Sequence, residues 1–325
     1  MKLTVDQIRA VAIGTAYVNE DETGIHLHRF TAEQEELYRV TNKDFYMKSF
    51  STAGIRLEMT TNSRTLRLAV TVSSGSSRKF FHHDVFVDGK LIGQLKSTET
   101  NCGEFDGEFD LGEGEKKLAV YFPWSCASVI RSFELEDGAT VTPVKKSCRM
   151  IIYGDSITHG YDAIVPAQSY ASLLADALDA DARNKGIGGE RFFPALAEIS
   201  DDYEPDYITV AYGTNDWSGK TLEEFENNSR AFYTLLSKKY PSTKIFALAP
   251  IWRGDMDRET KVGSFYHVAE HLGAVADELP NVTLINCFDF VPKSPEYFSD
   301  KHLHPNDEGF RYYFEGLLAE IKKYL

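Results

Sequence analysis

The chain has 325 residues and sets 35 Lys and Arg against 49 Asp and Glu, a formal net charge of −14. That balance argues against nucleic acid or an anionic membrane surface as a partner, because both select basic surfaces. The length allows two domains, and 17 Tyr and 21 Phe leave ample material for a core.

Residues 1–20 lack the basic start, apolar run and small-residue cleavage site of a signal peptide, and no apolar run reaches the length of a membrane span. Cys102, Cys126, Cys148 and Cys287 are scattered without zinc-ligand spacing, so they read as reduced thiols of a cytoplasmic protein.

Up to about residue 145 the chain is β-rich. Short runs at Gly54–Met59, Thr65–Ser73, Asp84–Asp88, Lys90–Leu95 and Leu118–Phe122 alternate with turn signals. Val87-Asp88-Gly89-Lys90 reads as a hairpin, since Asp88-Gly89 suits positive φ. The spacing predicts an all-β sandwich over 1–145, jelly-roll-like, interrupted by one helical turn at Thr31–Tyr38. His26-Leu27-His28 places two imidazoles on one strand face, but no carboxylate or thiolate at ligand spacing joins them, and no metal is expected. Phe80-Phe81-His82-His83 reads as sandwich core and edge.

From residue 146 to 325 strands and helices alternate. Strands are expected at Met150–Tyr153, Ala182–Asn184, Tyr207–Ala211, Ile245–Ala249 and Val282–Asn286. Amphipathic helices lie between them: one through Tyr170 and Leu174, one through Leu222, Phe225, Phe232 and Leu236 with a Thr221/Glu224 capping box, one through Val268 and Leu272, and a last from about Pro305. Such alternation predicts a doubly wound, five-stranded parallel sheet covered on both faces.

In that architecture every strand carboxyl end lies along one edge, where ligands bind. Met150–Gly160 is a buried strand running into a tight turn at Gly154-Asp155-Ser156, which holds Ser156 beside backbone N–H groups with no helical partner. A serine nucleophile needs that setting, because attack on an ester creates an oxyanion next to it. A plain helix cap would use the same residue types. Gly188-Gly189, Asn215 and His304-Pro305 fall in later loops of the same edge, and strand order 2-1-3-4-5 would make the first two neighbours of Ser156. No phosphate-cradling lysine loop or dinucleotide fingerprint accompanies them.

With Gly-Asp-Ser at 154–156, Asn-x-Gly-x-x-Gly at 184–189, Gly-Thr-Asn-Asp at 213–216 and His-Pro at 304–305, the chain resembles the SGNH (GDSL-type) hydrolase superfamily over roughly Met150–Leu325. The resemblance implies a flavodoxin-like fold with Ser156 as nucleophile and His304 as base. It also implies an oxyanion hole of the Ser156 and Gly189 N–H groups and the Asn215 side-chain amide, with no cofactor. The β-rich half is similar in architecture to the jelly roll that precedes this domain in some bacterial carbohydrate esterases. The chemistry agrees: a serine hydroxyl needs a base, and histidine titrates in the right range.

One block departs from the family. The carboxylate usually stands three residues before the histidine, where this chain has Lys301. Asp300, four residues before His304, is the expected third member. A backbone carbonyl or Asp289 are the alternatives, and moving the base to His302 fits worse because Pro305 follows His304. Arg191, Trp217, Trp252 and Arg253 fall in loops of the active edge and are candidate substrate contacts, with plain loop packing as the competing role. The expected function is hydrolysis of short acyl esters, acetyl above all, on a carbohydrate or similar polar small-molecule or oligosaccharide substrate through an acyl-serine. The alternatives are a general carboxylesterase, lipase or thioesterase, or a non-catalytic carbohydrate-binding protein.

Overall fold

Alternating burial along the strands of the first half builds two antiparallel sheets. The computed structural model describes residues 1–325 and divides into two units, Met1–Lys146 with Val165–Ala167, and Ser147–Ile164 with Gln168–Leu325. The first unit holds β1 (Ala12–Ile13), β2 (Tyr17–Asp21), β3 (Gly24–His28), β4 (Arg56–Thr61), β5 (Thr65–Ser74), β6 (Phe81–Val87), β7 (Lys90–Ser97), β8 (Gly103–Asp110), β9 (Lys116–Tyr121), β10 (Cys126–Leu135) and β11 (Thr142–Pro143). One sheet has the order β1-β4-β9-β6-β7 with β11 on β4, and the other β2-β3-β10-β5-β8. The strands β3–β10 therefore run 3-10-5-8 in one sheet and 4-9-6-7 in the other, which is the jelly-roll order. Leu57, Met59, Leu118 and Val120 from one sheet share a core with Leu66, Leu68, Val70, Ile130 and Phe133 from the other. Each such side chain, fully buried, contributes about 1.5–3 kcal/mol.

The hairpin expected at residues 87–90 forms, with Asp88 and Gly89 both at positive φ (49° and 76°). Three helices replace the single expected turn: α1 (Val5–Val11), α2 (Ala32–Thr41) and α3 (Lys43–Ser49). Thr4 with Gln7 and Thr31 with Gln34 form capping boxes, and Asn42 caps α3. Two long strands, β8 and β10, lie outside the runs picked out in the sequence. The residues of β8 are exposed or half-buried throughout, and a bulge between Ile130 and Ser132 breaks the alternation of β10. His26 and His28 do lie on one strand, but each has a carboxylate after all. His26 Nε2 is 3.0 Å from Asp21, and His28 Nδ1 is 2.7 Å from Glu35 of α2. The sequence could not show this second pairing, because α2 is brought to the sheet only by folding.

The second unit is a five-stranded sheet of β12 (Cys148–Gly154), β13 (Ala180–Gly186), β14 (Tyr207–Ala211), β15 (Lys244–Ala249) and β16 (Val282–Asn286), all parallel, in the order β13-β12-β14-β15-β16. Its helices are α4 (Ser156–His159), α5 (Tyr170–Ala177), α6 (Pro194–Glu198), α7 (Thr214–Gly219), α8 (Leu222–Lys239), α9 (Tyr266–Glu278) and α10 (Asp307–Ile321). Met150–Tyr153 are buried without a break, as a central strand covered on both faces requires. The Thr221/Glu224 capping box opens α8, whose buried face is Phe225, Phe232, Tyr233 and Leu236; Leu222 is exposed. The final helix starts at Asp307, not at Pro305, because the Asn306 side chain caps it by accepting the Gly309 N–H. No helix is long and apolar enough to cross a membrane, and all four cysteines are free.

Candidate active site

Three segments from the carboxyl ends of β12, β13 and β14, and a fourth before α10, place the expected residues. Gly154 ends β12 against α4; a Cβ there would stand 2.0 Å from Thr158 Oγ1, so only glycine lets the turn fold back this tightly. Asp155 caps the turn by accepting the Ile157 N–H at 3.0 Å. The helix that follows, α4, is a single turn closed by Gly160, too short for a large macrodipole; the local N–H groups supply the polarity. Ser156 stands at its start.

Ser156 Oγ lies 2.8 Å from His304 Nε2, and His304 Nδ1 lies 2.7 Å from Asp300 Oδ2. The Asp300 carboxylate can only accept from Nδ1–H, which leaves Nε2 as an acceptor facing the serine hydroxyl. The spacing of four works because the chain curls between Phe298 and Pro305, which bridge one another, with Lys301 at φ 71°. Asp300 Oδ1 then accepts the N–H groups of His302, Leu303 and His304 at 2.8–3.1 Å. Burial alone would raise the Asp300 carboxyl, but the His304 hydrogen bond and these three amides outweigh it and hold the group well below the ordinary carboxylate range. The alternatives fall elsewhere. Asp289 is exposed and paired with Lys293 at 2.7 Å, and His302 Nδ1 is engaged by the Asp300 carbonyl at 3.0 Å.

The loop after β13 forms a turn in which the Glu190 N–H reaches the Ile187 carbonyl at 3.0 Å, with the exposed Gly189 at φ 89°. The strand expected at Ala182–Asn184 runs on through Gly186. Asn184 Nδ2 donates to the Thr158 carbonyl at 2.8 Å, tying β13 to α4. The loop is clamped to the start of α7. Asn215 Nδ2 donates to the Glu190 carbonyl (3.0 Å), Arg191 Nε to the Asn215 carbonyl (3.0 Å), and the Phe192 N–H to Asp216 (3.3 Å). Tyr212 adds a 2.7 Å bond to the Glu190 carboxylate.

Two of the candidate substrate contacts are corrected by their burial. Trp217 is fully enclosed, donates to the Gly263 carbonyl at 2.8 Å and carries the Arg253 and Arg258 guanidinium groups 4.9 Å from its ring. Arg253 is spent on Thr214, Ser218 and Asp255. Both hold the loop after β15 to α7 and offer no face to a ligand. Arg191 and Trp252 keep partial exposure, with Trp252 edge-on to Phe298 at 5.3 Å. Asp162, Asp300 and His304 have ligand-type atoms within 4.8 Å of one another, but both ring nitrogens of His304 are already engaged, by Ser156 and Asp300.

Sequence reasoning passed over two buried carboxyls, although both stand inside the quoted motifs. Burial pushes Asp155 up to about 6 and Asp216 up to about 7, only partly offset by the amides they accept from. An unfolded Asp titrates near 4, so between about 4 and 7 the native state holds a proton at Asp216 that the unfolded chain has lost. Stability from this group is full below that window and lost as pH rises through it. Asp216→Asn keeps an acceptor for Phe192 and never ionises. Its melting temperature relative to wild type is therefore expected to be higher at pH 8.5 than at pH 5, by an equivalent of a few kcal/mol. An unchanged difference across that range in a thermal-melt series would show that Asp216 is ionised throughout.

Residues 152–312 match the model of the GDSL-like Lipase/Acylhydrolase family. The second unit belongs to that family. An arylesterase of Vibrio mimicus is 25% identical over 188 residues, covering 54% of this chain and 90% of that one. Among solved structures, a salicylyl-acyltransferase, SsfX3, from a tetracycline biosynthetic pathway aligns with TM-score 0.80 at 21% identity, over 96% of this chain and 94% of that one. An acetyl xylan esterase of Butyrivibrio proteoclasticus aligns with TM-score 0.68 at 16% identity, over 99% and 98%. A family two carbohydrate esterase of Clostridium thermocellum, solved with cellohexaose, aligns with TM-score 0.66 at 17% identity, over 84% and 93%. The GDSL-like protein described here is thus an SGNH-type carboxylic ester hydrolase.

Proposed function

We propose that this hydrolase removes short acyl groups, acetyl above all, from a carbohydrate or similarly polar alcohol, through an acyl-serine intermediate on Ser156. The observation that carries the mechanism is the continuous line Ser156–His304–Asp300, with steps of 2.8 and 2.7 Å. His304 takes the hydroxyl proton as Oγ attacks the ester carbonyl, then returns it to the departing alcohol. Asp300 holds the ring in the required tautomer. Water attacks the acyl-serine by the same route in reverse. The Ser156 and Gly189 N–H groups and Asn215 Nδ2 are the donors for the oxyanion. One Asn215 amide hydrogen goes to the Glu190 carbonyl, and a second remains for the substrate.

The acetyl xylan and family two carbohydrate esterases with the same two-domain fold support a saccharide. The test is a screen of acetylated saccharides alongside p-nitrophenyl esters of graded acyl length. Activity should collapse beyond about four carbons and be highest on an acetylated sugar. Rates that rise with chain length would make the protein a lipase or thioesterase instead.

Asn215→Ala is expected to lower kcat by about 10²–10³ with little change in KM, since an oxyanion donor acts mainly in the transition state. Steady-state kinetics decide this. A rise in KM alone would make Asn215 a residue that only places the substrate.

A further inference from the structure

Two consecutive side chains that no part of the triad requires converge on the base. The Tyr161 ring lies along the His304 imidazole, with centroids 5.6 Å apart and planes 29° from parallel. Asp162 Oδ2 stands 3.9 Å from His304 Nδ1, on the nitrogen that Asp300 already holds. Asp162 is buried, with its side chain only 10% exposed. Its backbone sits at φ 72°, at the third position of a turn closed by the Ala163 N–H on the Gly160 carbonyl at 3.1 Å. Glycine, asparagine and aspartate all tolerate that position, so the turn is compatible with the carboxylate that the chain places there.

We propose that Asp162 is a positioning residue for His304, a second carboxylate that with Asp300 stabilises the positive charge formed when the imidazole takes the Ser156 proton. This rests on Ser156 and His304 being the nucleophile and base. As the Oγ–carbon bond forms, the carbonyl π pair moves to its oxygen and the hydroxyl proton passes to Nε2. The ring gains one positive charge, and the oxygens of both side chains lie on its Nδ1 side. At 3.9 Å Asp162 is beyond hydrogen-bond length, so it acts through charge while Asp300 sets the tautomer. The charged groups around the imidazole are Asp300 from the loop before α10, Asp162 from the turn after α4, and Asp155 at the cap of α4, which in turn feels Arg253 from the loop after β15.

The test is Asp162→Asn, with Asp162→Gly as a second charge-free variant; both replacements tolerate the left-handed backbone, so the fold is expected to survive. Each should lower kcat about tenfold with KM within about twofold, and move the acid limb of the kcat/KM profile about half a pH unit or more towards lower pH. Removing a neighbouring negative charge makes an imidazole easier to deprotonate, whereas a merely structural role would lower activity without moving that limb. An unmoved limb, or unchanged kcat, overturns the proposal. Ser156→Ala is measured alongside: if it retains activity the underlying mechanism fails, and if it is dead the Asp162 result stands on its own.

Discussion

Ser156→Ala is expected to lower ester hydrolysis by about 10⁴–10⁶-fold, with the fold intact. The magnitude follows from the loss of the covalent route, since removing the nucleophile of a serine triad in subtilisin costs about 2 × 10⁶ in kcat. Its alanine has no hydroxyl for His304 to deprotonate, and residual turnover would come only from oxyanion donors and binding acting on water. The fold should survive because the turn is held by other atoms. Asp155 accepts the Ile157 N–H, and the Tyr161 and Gly160 N–H groups reach the Ser156 carbonyl, which alanine retains. A phosphonate or sulfonyl fluoride should label wild type at Ser156, as read by peptide mass spectrometry. Labelling at a different serine, or full activity in the alanine variant, would remove Ser156 from the mechanism.

Asp300→Asn should lose at least about a hundredfold in kcat. In a well-studied serine protease triad the same change cost about 10⁴ with the geometry preserved, through the wrong imidazole tautomer. Here the carboxylate has two tasks. Oδ1 gathers the N–H groups of His302, Leu303 and His304, and Oδ2 accepts from Nδ1. The asparagine oxygen can keep the first task, but its NH₂ then faces Nδ1 and favours the ring with its proton on Nε2, where it cannot accept from Ser156. The loss should therefore appear in kcat, with KM and melting temperature little changed. A loss below about fivefold, with His304→Ala still dead, would move the orienting role to another group.

Much of the second unit was legible in the sequence, for a local physical reason. A parallel sheet buried on both faces demands continuous apolar runs such as Met150–Tyr153, and its covering helices demand a 3.6-residue pattern and caps such as Thr221 with Glu224. Those two periods imply the sheet, and a doubly wound sheet brings the ends of β12, β13 and β14 together. The jelly roll was less legible. In β10 a bulge breaks the alternation, and β8 buries no residue fully, so its Gly-Glu-Phe-Asp repeat reads as polar surface.

What only tertiary structure decided are the contacts between residues far apart in the chain. Whether Trp217 and Arg253 meet solvent depends on where the loop after β15 lies, and it folds over α7 and encloses both. That Asp300 can serve from four residues away depends on the Phe298–Pro305 bridge and the left-handed Lys301, which turn a spacing that looks wrong into a 2.7 Å contact. Asp162 carries no signal in the sequence, because its partner stands 142 positions away and the two approach to 3.9 Å only through the packing of the turn after α4 against the loop before α10. Local sequence sets which residues can cap, turn or alternate; which carboxylate faces the histidine is a property of the folded chain alone.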